Sequence, residues 1–167
     1  MDRQPDVGAV VRLVRPLLHS YGLRLPNRVR VELVEPGEIR KGAGALLHGE
    51  TAVEKAWLGG AATVRSIKVV SGMPATQFGH VVAHEMCHGW LTLCPGRRPP
   101  ALEEGICELV GSWWLRHRGG RLAAHLLDQM LQNPDPLYGD GYRSAYRRAG
   151  DLTPAEVVRR VEATGTL

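Results

Sequence analysis

The stretch that decides the reading runs Ala75-Thr76-Gln77-Phe78-Gly79-His80-Val81-Val82-Ala83-His84-Glu85-Met86-Cys87-His88-Gly89-Trp90-Leu91-Thr92-Leu93-Cys94. Gly72-Met73-Pro74 stands before it and Pro95-Gly96 after it, so chain-breaking residues bound a segment of helical length. Phe78, Val82, Met86 and Leu93 fall in one narrow stripe of a helical wheel, and His84 and His88 point the opposite way. The spacing predicts a helix over 75–94 that buries one side and presents two imidazoles from the other.

Those imidazoles belong to His84-Glu85-Met86-Cys87-His88, an H-E-x-x-H pattern. Positions i and i+4 share a helix face, so both rings can reach one ion. Zinc accepts imidazole nitrogen at about 2.0–2.1 Å in tetrahedral geometry. Glu85, one residue on, sits beside such an ion and can take a proton from a water activated there.

A catalytic zinc takes three protein ligands and keeps one position open. In metzincins the third is a histidine reached through a glycine turn. Here Leu91 stands where that glycine would be and Cys94 where that histidine would be, which excludes the class. The other solution is a carboxylate on the following helix, which Pro99-Pro100 opens and which should run to about Arg118. Glu104 and Glu108 share a face of it, with Cys107 and Gly111, both small enough for close approach to the first helix. Glu104 is the expected third ligand. Glu108, one turn further, is the expected acceptor that orients a ligand histidine. Glu103 is the nearest rival to Glu104, although a first-turn acid is also favoured by the helix dipole.

Before the motif, Val7, Val10, Val11, Val14, Leu17 and Leu18 keep helical spacing over 5–20, with Pro5 fit for the first turn and Pro16 expected to end or kink the helix. Val29, Val31 and Leu33 alternate with Arg30 and Glu32 as in a half-buried strand, and Glu35-Pro36-Gly37 marks a turn. Short strands are expected near 43–48 and 51–57, and a better one from Val64 to Ser71. After the motif come helices at 121–132 and 139–149, separated by the loop Asn133-Pro134-Asp135-Pro136. A last helix is opened by Thr153, Pro154 and Glu156 as a capping box. The expected fold is α+β, with a small twisted sheet in the N-terminal half, a helical C-terminal half and a zinc site between two helices. One domain should span 1–167.

Composition narrows the function classes. The chain has 167 residues, 44% of them hydrophobic, enough for one core. It has no apolar run of membrane-spanning length and no signal-peptide core after Met1–Pro5, so no membrane association is expected and the cytoplasm is the default. The net charge is +4, but the basic pairs Arg97–Arg98, Arg147–Arg148 and Arg159–Arg160 are scattered and no basic tract appears, so no nucleic-acid partner is expected. Cys87, Cys94 and Cys107 are an odd set. Seven residues along one helix would hold Cys87 and Cys94 roughly 10 Å apart, too far for a disulfide. Buried free thiols are expected.

The H-E-x-x-H pattern followed by Glu103-Glu104-Gly105-Ile106-Cys107 resembles the gluzincin metallopeptidases. With Ser71-Gly72-Met73-Pro74, Ala83 to Trp90, and Tyr138-Gly139-Asp140-Gly141-Tyr142-Arg143, it resembles more closely the peptidase domain of the plant ubiquitin-activated growth-regulating peptidases, the "DA-one-like" family. The likeness spans roughly 64–150 with the motifs in order. It implies a minimal gluzincin, as a stand-alone domain of bacterial type, acting as a zinc-dependent peptidase on peptide or protein substrates. It implies one zinc per chain on His84, His88 and Glu104, with Glu85 as catalytic base. The plant proteins carry ubiquitin-interacting motifs and LIM modules before the peptidase, and this chain shows neither, so activation through ubiquitin does not carry over. Glu108 stands where the family often has glutamine, and Tyr142 where it usually has phenylalanine.

Tyr138, Tyr142, Arg143, His117 and His125 are candidates to stabilise the oxyanion. The resemblance favours Tyr138, and His117 and His125 read as surface histidines. By resemblance too, Ile67, Lys68, Val69 and Val70 would form an edge strand receiving substrate backbone. His80 shares the face of His84 and reads as a supporting non-ligand, and Trp57, Trp90, Trp113 and Trp114 read as core. Two other functions compete: a zinc-binding scaffold that is inactive or latent, and a basic DNA-associated or regulatory protein in which the motif is accidental.

Overall fold

The computed structural model describes residues 6–26, 29–35, 38–39, 48–54 and 63–167. Over them the chain is α+β: three strands and one helix in the first half, then five helices. Pro5, Pro36-Gly37, residues 43–47 of the expected strand at 43–48, the end of that at 51–57, and Trp57 lie outside the described residues.

Helix α1 spans Val7–Ser20, with Asp6 accepting from the Ala9 amide as its N-cap. It continues through Pro16 and does not end there. Val10, Val14 and Leu18 are buried against the core, and this packing outweighs the one backbone bond that proline removes. Strands β1 (Arg30–Val34), β2 (Gly49–Glu54) and β3 (Thr63–Val70) form a mixed sheet in the order β1-β3-β2. β1 runs parallel to β3, and β2 antiparallel to it. Leu33, expected to face inward, is 38% exposed, and Val34 is buried in its place.

This order corrects the expected edge strand. Ile67, Lys68, Val69 and Val70 pair with Val31–Val34 on one side, and Ile67–Val69 with Gly49–Thr51 on the other. The backbone of 67–70 is flanked by chain on both sides, so this stretch cannot receive another strand. Among the described residues β2 pairs with β3 alone.

Helix α2 spans Ala75–Leu91 and ends three residues before the expected Cys94. Thr92 turns its hydroxyl back to the Gly89 carbonyl, and the Leu93 and Cys94 amides tighten to i−3 carbonyls ahead of Pro95-Gly96. Leu93 therefore leaves the predicted stripe and is 50% exposed, while Phe78, Val82 and Met86 are fully buried. Helix α3, Pro100–Arg118, packs beside α2, and α4 (Gly120–Gln132), α5 (Gly139–Ala149) and α6 (Pro154–Thr164) complete the helical half. The capping box of Thr153 and Glu156 is formed as expected.

One cluster of buried side chains joins α1, the sheet and the helices, and it includes Trp90, Trp113 and Trp114. A Cβ on Gly105 would overlap the backbone of Gly141, so α3 and α5 touch at a pair of glycines. Cys87 and Cys107 are buried free thiols, and Cys94 is half-buried. No helix among the described residues is long and apolar enough to cross a membrane.

Candidate metal centre

Helix α2 brings His84 and His88 onto one face, with Nε2 atoms 3.1 Å apart. Helix α3 lays Glu104 against both: its Oε2 lies 3.3 Å from each Nε2. That oxygen is buried yet makes no properly directed hydrogen bond. Three donor atoms thus converge, with edges of 3.1, 3.3 and 3.3 Å. A tetrahedral ion at zinc-like bond lengths needs donor edges of roughly 3.3–3.4 Å. The residues fit such an ion, and the unsatisfied oxygen is what it would complete.

Cys107 is a donor the sequence reading had not weighed. His84, His88 and Cys107 place ligand atoms within 4.8 Å of one another, so this cluster too can hold a metal ion. The signal was present, since Cys107 lies three residues after Glu104 on the same helix face.

The outer nitrogens are also engaged. His84 Nδ1 lies 3.1 Å from Glu108 Oε1, and His88 Nδ1 lies 3.2 Å from Glu103 Oε1. Glu103 therefore stands behind a histidine, on the side away from the three converging donors. His80 Nε2 lies 3.9 Å from Glu108 Oε2, and its ring fits against Gly111.

The electrostatics follow from this packing. Burial works against charge on His84 and His88, but their carboxylate partners outweigh it. His84 is carried well above the usual imidazole range by Glu104 and Glu108, and His88 is raised to about 9 by Glu103 and Glu104. Glu104 is buried, which alone would raise its pKa, yet contacts with His84 and His88 bring it down to about 2. The carboxylates thus favour the protonated form of both imidazoles. His80 goes the other way, lowered chiefly by burial.

Glu85 is 6% exposed and stands on the β2 side of the cluster. Thr51 Oγ1 lies 2.7 Å from Glu85 Oε2 and 2.8 Å from the Glu85 carbonyl oxygen. A Cβ on Gly49 would sit 2.7 Å from both Glu85 Cγ and Glu85 Oε1. Neither Gly49 nor Thr51 stands out in sequence, because the partner of both, Glu85, is contributed more than 30 residues on by another element.

These groups line a cleft of about 870 Å³ between β2, α2, α3, α4 and the 133–138 loop. Glu50, Glu85, Glu103, Glu104, Glu108 and Asp135 face it, and among the described residues no lysine or arginine does, in a chain of net charge +4. Tyr138 lines it too. Asp135 Oδ1 accepts from the Leu137 and Tyr138 amides and so shapes the turn that carries the tyrosine. Burial and the surrounding carboxylates push the Tyr138 phenol up to about 12. The other oxyanion candidates are elsewhere. Tyr142 is buried in the core, Arg143 binds the Leu131 and Asn133 carbonyls, and His117 and His125 are exposed.

A family model described as DA1-like: Protein DA1 matches residues 14–126. LIM domain-containing protein HDR3 of Oryza sativa subsp. japonica is 27% identical over 163 residues, covering 75% of this chain and 32% of that protein. Protein DA1-related 7 of Arabidopsis thaliana is 25% identical over 135 residues, covering 62% of this chain and 24% of that protein. Protein DA1-related 1 of the same plant is 43% identical over 54 residues, covering 31% of this chain and 10% of that protein. The chain spans about a third or less of the length of these relatives. No solved structure matches it significantly.

Proposed function

The chain belongs to the DA1-like family, and from that premise we propose that it is a zinc-dependent peptidase with its active site in the α2–α3 cleft. The observation that carries the reading is the convergence of His84, His88 and Glu104 at tetrahedral donor spacing beside the Glu85 carboxylate. His84 and His88 supply imidazole nitrogen and Glu104 a carboxylate oxygen, a donor set suited to zinc, and three ligands leave one position for water or substrate. When bound, zinc supplies Lewis acidity, polarising a peptide carbonyl and acidifying a water at neutral pH.

The chain's own groups do the rest. Glu85 takes the proton from the attacking water and passes it to the leaving amine. Glu108 and Glu103 hold the two rings through their Nδ1 atoms. Tyr138, kept protonated by its raised pKa, donates a hydrogen bond to the developing oxyanion. An extended peptide adds to β2 rather than to β3, since β2 borders the cleft and pairs with β3 alone among the described residues.

The test begins with metal content. The reading expects about one zinc per chain in the wild type and loss of it in Glu104→Ala. Cleavage of a denatured protein or peptide pool is then expected from the zinc-loaded wild type and not from Glu85→Gln. A wild type that takes up no zinc overturns the metal centre. A zinc-loaded wild type no more active than Glu85→Gln leaves the metal centre and removes the peptidase.

A further inference from the structure

We propose that Thr51 is a positioning residue for the catalytic base, so that strand β2 orients Glu85 as well as bordering the substrate cleft. This deepens the peptidase reading and rests on it. A threonine hydroxyl has one proton to donate, and two acceptors stand within reach: Glu85 Oε2 at 2.7 Å and the Glu85 carbonyl at 2.8 Å. The carboxylate is the stronger acceptor. Held there, Oε2 is occupied, and Oε1 is left as the oxygen that exchanges a proton with water in the cleft.

The strand is shaped for this. Gly49 and Thr51 are two residues apart and so project from the same face of β2. Thr51 grips one carboxylate oxygen. Gly49 leaves the space the rest of the side chain fills, since a Cβ there would come within 2.7 Å of Glu85 Cγ and Oε1 and 2.8 Å of Val81 Cγ1. The sheet register shifts between Ala52 and Val53, just past this pair. Helix α2 alone would leave the Glu85 carboxylate free to rotate about its side-chain torsions. The contact with β2 fixes it.

The test uses the full zinc-loaded chain and two substitutions. Thr51→Val keeps the shape and removes the donor; Thr51→Ser keeps the donor. Thr51→Val is expected to lower kcat on a cleaved peptide by about ten- to hundredfold, the scale of a misplaced catalytic group. KM should stay within about twofold, zinc at one per chain, and Thr51→Ser should recover most of kcat. Unchanged kcat in Thr51→Val, or a Thr51→Ser variant no better than it, overturns the proposal. A thermal cycle on the metal-free chain reads the contact without activity. Thr51→Val is expected to lower Tm by about 2–4 °C in the wild type and by less in Glu85→Ala. Equal shifts in the two backgrounds overturn the contact. If the wild type cleaves nothing while the cycle shows coupling, the peptidase reading falls and the Thr51–Glu85 link stands.

Discussion

Glu108 Oε1 lies 3.1 Å from His84 Nδ1, across the ring from the Nε2 that meets Glu104. A carboxylate at that nitrogen fixes the ring's orientation and leaves Nε2 as the lone-pair donor. Glu108→Ala is therefore expected to weaken zinc binding about 10–100-fold while leaving one site per chain at saturation. Competition against a chelator of known affinity measures this, and an unchanged affinity would reduce Glu108 to a packing role.

Two donor sets share the histidines, and substitution separates them. Glu104 Oε2 is 3.3 Å from each Nε2, and Cys107 Sγ lies within 4.8 Å of a ring nitrogen of each histidine. Glu104→Ala should abolish stoichiometric zinc, and Cys107→Ser should retain it. The reverse outcome would assign the third donor to sulfur.

The convergence of the H-E-x-x-H histidines was legible because its logic is local. A period of i, i+4 places His84 and His88 on one face whatever surrounds them, and the same rule pairs Glu104 with Glu108. The helices of the second half were legible through their punctuation, as at Pro99-Pro100 and Thr153-Pro154. What failed depended on other elements. β3 looked like an available strand because it is rich in β-branched residues, but a central strand has that composition for the same reason. Pro16 was given its intrinsic cost without the packing of Val14 and Leu18 that offsets it. Thr51 gave no signal, because a lone threonine in a strand acquires meaning only from the carboxylate opposite.

In chelator, stability should depend on pH in a way the cluster dictates. His88 is raised from 6.5 to about 9, so its contribution is full below 6.5 and is lost as pH rises through about 9. Glu104 is lowered from 4.5 to about 2, so its contribution is full above 4.5 and is lost as pH falls through about 2. Both are complete only between about 4.5 and 6.5. The metal-free Tm should peak in that window and decline on either side. Thermal scans across pH would show it, and a Tm that climbs steadily from pH 6 to 9 would contradict the pairing.

Tyr138 shares the cleft with Glu85 and Glu104, and its phenol is pushed up to about 12. It is a donor at every working pH. Tyr138→Phe removes one hydrogen bond to the oxyanion and should lower kcat by about 10²–10³-fold with KM little changed. Steady-state kinetics on one peptide distinguishes this from a binding role, which would raise KM and spare kcat.

The α3–α5 contact also reaches the metal centre. Gly105 sits against the Gly141 backbone and directly follows Glu104 on the same helix. A methyl at 105 has no flexible side chain to displace, so the helices must separate. Gly105→Ala is expected to cost about 1–3 kcal/mol of stability, within the range for overpacked cores. Moving α3 away from α5 changes the approach of Glu104 to the histidines as well, so zinc affinity should fall together with Tm. Ala145→Gly, a substitution elsewhere on the buried face of α5, serves as the control: it should lower Tm while zinc affinity stays unchanged. If Gly105→Ala lowers Tm and spares zinc affinity, the position of α3 is set by α2 alone.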